Sequence, residues 1–173
     1  VVLDVAEVVA ARGGACTSVA LTVADLENAR DRAGLVCRPG DICLLFTGFF
    51  EAYDQLDQGE RVLMADRASM AAAGVEHTEA MAEFLWDAGF AACVSDAPTV
   101  EVWPSDQSPG ASPFGFLHRV LLGQFGMAIG ELSALDDLVA DCRADGRFEC
   151  LLASAPMHQP GGVGSPANAL AIK

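Results

Sequence analysis

The chain has 173 residues, enough for one ordinary domain, and 52% of them are hydrophobic, which allows a substantial core and excludes disordered and collagen-like proteins. It carries 10 basic and 24 acidic residues, for a net charge of −14, and Lys173 is its only lysine. We therefore expect no basic surface that could bind nucleic acid or an anionic membrane.

The cysteines and the apolar runs indicate the cellular compartment of the protein. No apolar run approaches the roughly 18 residues of a membrane span. The six cysteines form no C-x-x-C pair and most lie in apolar surroundings, which is typical of reduced, buried thiols: they are Cys16, Cys37, Cys43, Cys93, Cys142 and Cys150. We therefore expect a cytoplasmic protein.

The chain opens on an apolar segment, residues 1–6, which Asp4 interrupts. It lacks an initial Met and the positive region of a signal peptide, and its β-branched residues predict a strand covered on both faces. We expect the chain to begin inside a folded domain, with an upstream segment absent.

Helix and strand signals then alternate. Thr22 and Asp25 have the spacing of a capping box and predict a helix that stops near Gly34. The Pro-Gly-Asp turn at residues 39–41 precedes a short buried strand over residues 42–46.

The middle of the chain is less regular. Residues 51–75 are polar and Ala-rich without a clean period, so we expect an irregular segment with one helical turn. Thr78 predicts the start of a second helix that ends at Gly89, and residues 90–94 form the next strand.

Four prolines predict a long functional or interface loop over residues 95–113. The pattern after this loop predicts a helix, a strand, a helix and two strands, at residues 116–125, 127–131, 133–144, 148–154 and 169–172. Strands that alternate with helices indicate an α/β protein with a single domain over residues 1–173.

The glycine-rich stretch at residues 160–166 could be mistaken for a phosphate-binding loop. Only seven residues follow Pro166, too few for the helix whose N-terminus would meet the phosphate, and no Gly-Lys-Ser/Thr occurs. A tight turn is the better interpretation. The chain also lacks the G-x-S-x-G pattern of a serine nucleophile.

His118 and Glu131 are the most informative pair of polar residues. The helix rises about 10 Å from His118 to Phe125 at ~1.5 Å per residue. The strand after Gly126 travels about 13 Å at ~3.3 Å per residue. If it returns antiparallel to the helix, Glu131 lies level with His118, where imidazole and carboxylate could share a metal. The same spacing also suits a surface or core pair.

Two other residues are candidates for substrate binding. Asp96 directly follows a predicted strand, the favoured position for binding residues in α/β sheets, although an Asx-turn explains it equally well. Trp103, in the same loop, could stack on a substrate or fill a subunit interface. His77 is expected to be exposed, and His158 to lie in a loop that can line a pocket.

Two segments around His118 and Glu131, FLHRVLL at residues 116–122 and GMAIGEL at residues 126–132, resemble the cyclase family of metal-dependent hydrolases, which includes bacterial kynurenine formamidase and isatin hydrolase. Three further segments are similar to family motifs and follow in the same order. The first runs from PGD at residues 39–41 to LLFTGF at residues 44–49, and the second is SDAPTVE at residues 95–101. The third combines SAP at residues 154–156 with GGVGSPANA at residues 161–169.

The resemblance implies a swivelling β/β/α domain with a mixed sheet, incomplete at its N-terminus. It implies a Zn²⁺ or Mn²⁺ site that activates water to hydrolyse a formamide or cyclic amide, with His118 and Glu131 as metal ligands and Asp96 and Trp103 shaping the pocket. The tail motif resembles the longer bacterial branch of the family, of which this chain would be the C-terminal portion. The family's other ligands and its catalytic His belong to an upstream His-x-Gly-Thr-His-x-Asp motif, or in the longer branch to a looser Asp-and-His version, and no such motif occurs here.

The partners implied are a small amide substrate, further copies of the chain in a dimer or tetramer, and a companion chain that carries the upstream segment. The alternative is a non-catalytic binding or assembly protein on the same scaffold, with an incomplete metal site.

Overall fold

Eight strands and seven helices follow one another along the computed structural model, which describes residues 1–173. In chain order they are β1 (Val2–Asp4), α1 (Ala6–Ala11), β2 (Ala20–Leu21), α2 (Val23–Arg32), β3 (Ile42–Phe46), α3 (Phe49–Asp54), α4 (Gln58–Ala65), β4 (Gly74–Val75), α5 (Glu79–Asp87), β5 (Ala92–Ser95), α6 (His118–Leu121), β6 (Ala128–Gly130), α7 (Asp136–Asp145), β7 (Leu151–Ala153) and β8 (Leu170–Ile172).

The main sheet consists of four parallel strands in the order β1-β3-β5-β6. Alternate residues of β3 enter two hydrophobic clusters on opposite faces of this sheet. Cys43 and Leu45 belong to a cluster of 25 buried residues that includes residues of α2 and α5, whereas Leu44 and Phe46 belong to a cluster of six with residues of α7. Burial on both faces explains the uninterrupted apolar sequence of β3.

The carboxyl ends of the four parallel strands share one edge of the sheet, where α/β proteins place their binding sites. β3 is followed by Thr47, β5 by Asp96 and β6 by Glu131. The chain after Glu131 is held to the end of β5, because Leu132 N–H donates to the carbonyl of Ala97 at 3.0 Å and Ser133 N–H to that of Ser95 at 3.1 Å.

Two small sheets complete the fold. β2 and β4 pair in parallel, and β4 is extended by bridges from Ala72 to Trp103 and from Val75 to Glu101. A Cβ at Gly74 would overlap the backbone of Glu101, so the close approach of the two segments requires glycine. β7 and β8 form an antiparallel hairpin.

The α/β class is confirmed, but the direction of pairing differs from the expectation of a mixed sheet. Every pair in the main sheet is parallel, and the antiparallel pair lies in the separate β7–β8 hairpin. None of the helices combines the length and apolar character needed to cross a bilayer.

The capped helices are confirmed: Thr22 and Asp25 form a capping box at α2, and the Thr78 hydroxyl accepts a hydrogen bond from the N–H of Met81 at α5. The prediction for residues 51–75 is wrong, because α3 and α4 occupy much of this region. Asp57 and Glu60 form a capping box that begins α4, a signal hidden by the polar, Ala-rich composition.

Three other predictions need correction. The helix predicted over residues 116–125 contains only the single turn of α6, and the strand predicted over residues 1–6 gives way to α1 at Ala6. The predicted strand over residues 148–154 shortens to β7.

Candidate functional site

An imidazole held between two carboxylates is the centre of the candidate site. His118 Nδ1 lies 2.9 Å from both Oε1 and Oε2 of Glu101, and His118 Nε2 lies 3.3 Å from Glu131 Oε1. The Glu101 side chain is fully buried, whereas those of His118 and Glu131 are 20% and 29% exposed. The site therefore has a buried end at Glu101 and an accessible end at Glu131.

His118 is the first residue of α6, and packing fixes this short helix in place. Leu117, Val120 and Leu121 belong to the cluster of 25 buried residues, called the main core below, and they anchor the turn on either side of the histidine. The ring of Phe116 stacks on the imidazole, with 4.9 Å between centroids and 20° between planes. These contacts leave the imidazole little rotational freedom.

Glu101 is the residue that the sequence-based reasoning missed. It lies in the segment bridged to β4, where Val75 N–H donates to the carbonyl of Val100 and Val102 N–H donates to that of Val75. A buried carboxylate requires a partner, and both of its oxygens face His118 Nδ1. No local signal marks Glu101, because an acidic residue between Val100 and Val102 is equally typical of a strand with one solvent-facing side.

The two carboxylates set the protonation of His118. The hydrogen bond to Glu101 is the largest influence and that to Glu131 the second, and together they raise the pKa of His118 to about 10 although burial opposes them. The histidine is therefore an imidazolium at neutral pH when no metal competes for Nε2.

Glu131 follows β6 directly, and a backbone N–H group holds its side chain in place. Its Oε1 accepts the N–H of Val100 at 3.0 Å, one residue before Glu101. The same carboxylate faces His118 Nε2, so the short segment over residues 100–101 organises both carboxylates of the site. The pair predicted from the sequence, His118 and Glu131, does come together.

The donor set suits part of a metal site. His118 Nε2 and the Glu131 carboxylate are nitrogen and oxygen ligands of the kinds that Zn²⁺ and Mn²⁺ accept, and Glu101 holds the other ring nitrogen in the way common to metal-bound histidines. No group of three or more His, Cys, Asp or Glu side chains is placed to hold a metal. His118 and Glu131 lie together as a ligand pair would, and metal binding stays a prediction.

Asp96 is completely buried beneath the β3–α3 connection. Its Oδ1 accepts from the N–H and hydroxyl of Thr47, and its Oδ2 from the N–H groups of Gly48 and Phe49. Burial is the largest influence on the pKa of this carboxyl and raises it, while the four hydrogen bonds oppose the change. Asp96 holds the turn in which Gly48 adopts a φ of +79°, and its contact with a substrate stays a prediction.

Trp103 is buried against Phe116, the residue whose ring stacks on the imidazole. It is 7% exposed, its Nε1 donates to the carbonyl of Arg67 at 3.4 Å, and its ring meets that of Phe116 edge-on, with 6.4 Å between centroids. It thus supports Phe116, which in turn contacts His118. Direct contact of Trp103 with a substrate or another subunit stays a prediction.

The remaining histidines lie outside the cluster. His158 is exposed in the β7–β8 connection. The expectation of an exposed His77 is wrong, because this residue is half-buried and its Nε2 has no hydrogen-bond partner.

Comparison with known proteins identifies the scaffold. The family model described as "Putative cyclase" matches residues 1–102, which include Asp96 and Glu101. A crystal structure described as that of a novel cyclase is similar to the whole of this chain, with a TM-score of 0.78 and 30% sequence identity. The match covers 53% of that protein, so the chain spans about half the length of this solved relative. No curated protein sequence matches significantly.

Proposed function

Because this chain belongs to the cyclase family, we propose that it is a metal-dependent hydrolase of a small amide, either a formamide or a cyclic amide. The observation that carries the proposal is the position of the His118 imidazole between the carboxylates of Glu101 and Glu131. Such a cluster, at the carboxyl edge of a parallel sheet, suits metal binding better than a structural ion pair at the surface.

His118 Nε2 and Glu131 would hold the metal, and Zn²⁺ or Mn²⁺ bound there would supply a water of lowered pKa and polarise the amide carbonyl. Once the ring is neutral, Glu101 would keep the remaining proton on Nδ1 and leave the Nε2 lone pair to the metal. Phe116 covers one face of the ring and excludes water from it. Binding at Nε2 requires the imidazolium to release a proton.

The third ligand and the general base would come from a companion polypeptide segment. A catalytic metal usually has three protein ligands, and His118 and Glu131 are two. The proposal therefore concerns the assembled protein, in which a small amide is the substrate, further copies of the chain form a dimer or tetramer, and this chain contributes the half of the site described here.

A non-catalytic binding or assembly protein is the second candidate, and the two-ligand set favours it. In the closed cluster both carboxylates have polar partners without a metal: Glu101 has His118, and Glu131 has His118 and the N–H of Val100. Exposed apolar side chains such as Trp86, which is 55% exposed, would then serve contacts between subunits.

Metal analysis of the full-length protein tests the first candidate. We expect about one or two divalent ions per chain after purification with Zn²⁺ or Mn²⁺, and a marked loss of both metal and amide hydrolysis in Glu131→Gln. This substitution preserves an acceptor for the N–H of Val100 and leaves no buried charge unpaired. Glu149→Gln, an exposed position with the same chemical change, is the control.

A protein that takes up neither Zn²⁺ nor Mn²⁺ would contradict the hydrolase and leave the assembly protein. Metal content and hydrolysis that are equal in Glu131→Gln and Glu149→Gln would contradict the choice of ligands.

A further inference from the structure

We propose, on the basis of the function proposed above, that a cavity between the β7–β8 hairpin and the end of β6 binds the uncharged, apolar part of the amide substrate. Residues 151–172, which comprise β7, β8 and the connection between them, are called the arm below. The cavity has a volume of about 700 Å³ and reaches Glu131.

The position of Glu131 links this cavity to the site. Glu131 lines the cavity and also faces His118 Nε2 at 3.3 Å, so a carbonyl held beside these two residues has the cavity next to it. The segment that follows Glu131 forms one wall and includes Leu132, which adopts a left-handed φ of 50° that is unusual for a leucine. The arm forms the opposite wall, from residues 164–169 and Leu152.

The arm is fastened well enough to act as a wall. Lys173, directly after β8, lies 2.9 Å from Asp141 Oδ2 and 2.8 Å from Asp145 Oδ1 of α7. Leu152 packs against the six-residue cluster under the main sheet. Asn168 Nδ2 donates to the carbonyl of Ala155 at 3.1 Å, which joins the two ends of the long connection between β7 and β8. A two-stranded hairpin is marginal by itself, so these contacts give the arm its position.

The lining selects an uncharged group. Glu131 is the single charged residue of the cavity, and the other side chains are those of leucine, isoleucine, alanine and proline with Ser133, Ser165 and Asn168. Away from the metal proposed at Glu131 and His118, the lining offers no cation to a carboxylate or phosphate, and burying an unpaired anion there is unfavourable. The volume falls within the roughly 300–1,000 Å³ range of small-molecule pockets. The arm would therefore determine which amides the enzyme accepts.

The test measures binding of N-cyclohexylformamide to the full-length, metal-loaded protein by NMR titration. Ala134→Trp fills the cavity from an exposed position on its wall, and Ala140→Trp adds the same side chain to an exposed position of α7 outside the lining. We expect the Kd to rise at least about tenfold in Ala134→Trp, as the loss of most apolar contact predicts, and to stay within about twofold in Ala140→Trp. N-formylglycine, which carries a carboxylate, should bind at least about tenfold more weakly than N-cyclohexylformamide.

An equal Kd in Ala134→Trp and Ala140→Trp, in a protein that binds metal, would overturn this inference and leave the proposed function intact. Equal affinity for the neutral and the anionic formamide would overturn the assignment to uncharged groups. If the protein takes up no metal but Ala134→Trp still weakens binding selectively, the proposed function fails and the cavity remains the binding site.

Discussion

At the scale of single residues, Glu101 determines what His118 can do. A buried carboxylate beside Nδ1 makes Nε2 the ring nitrogen that faces the accessible side and Glu131. Carboxylates in this position usually raise the metal affinity of the histidine that they orient. Phe116 adds a steric restraint on the same ring. The chemistry of the site thus depends on a residue that would not itself touch the metal.

Glu101→Gln tests this dependence. We expect the substitution to lower the affinity of the full-length protein for Zn²⁺ by roughly 10- to 100-fold, because the amide holds Nδ1 more weakly than the carboxylate. Competition with a chromophoric chelator measures the affinity, with Glu149→Gln as the control at an exposed position. An unchanged affinity in Glu101→Gln would show that Glu101 is only a structural partner of His118.

At the scale of elements, α2 is tied to the chain before it by a charged cap. The Asp25 carboxylate accepts from Arg12 at 2.7 Å through both oxygens and from the N–H of Thr22 at 2.8 Å. The hydrogen bond to Arg12 is the largest influence that lowers the pKa of Asp25, although burial opposes it. The ionised form of Asp25 is therefore favoured in the folded protein.

The pH dependence of stability follows from the sign of that shift. A folded-state pKa below the ordinary value stabilises the protein above that value, about 3.8, and the contribution disappears as the pH falls through the folded-state pKa. At pH 7 we expect Asp25→Asn to lower the free energy of unfolding by about 1–2 kcal/mol. Below pH 4 the difference from the wild type should shrink, as urea unfolding would measure.

Glu27→Gln, on an exposed position of α2, is the control and should change little at either pH. A difference between Asp25→Asn and the wild type that stays constant from pH 7 to pH 3 would contradict the role assigned to the ionised cap.

A second prediction at this scale concerns Gly74, where β4 lies close to the segment that carries Glu101. A Cβ at residue 74 would overlap the backbone of Glu101, and overpacking of this kind costs about 1–3 kcal/mol. Gly74→Ala should therefore lower the midpoint of thermal unfolding and, by displacing Glu101, reduce Zn²⁺ affinity. Gly164→Ala, where the new methyl group meets open space, should change neither the midpoint nor the affinity.

At the scale of the whole molecule, local patterns predicted several helices and strands along the chain, but not the order of the strands in the sheet and only part of the site. β3 and the caps of α2 and α5 are set by residues close in sequence, and these predictions are confirmed. The contact between Glu101 and His118 closes across a proline-rich loop with no periodic signal, so local pattern could not reveal it. The role of Asp96 depends likewise on the parallel pairing of β3 with β5.

The positions of Glu131 and His118 in the fold predict how a bound metal should affect the stability of the whole protein. Glu131 follows β6, and His118 is anchored in the main core through α6, so a metal that joins them binds the folded protein better than the unfolded chain. Binding of this kind stabilises by about 2.7 kcal/mol when free metal is 100 times its Kd. Thermal unfolding of the full-length protein should therefore move to higher temperature with Zn²⁺ and return with EDTA. Glu131→Gln should show little of this rise, and an equal rise in that variant would place the stabilising metal elsewhere.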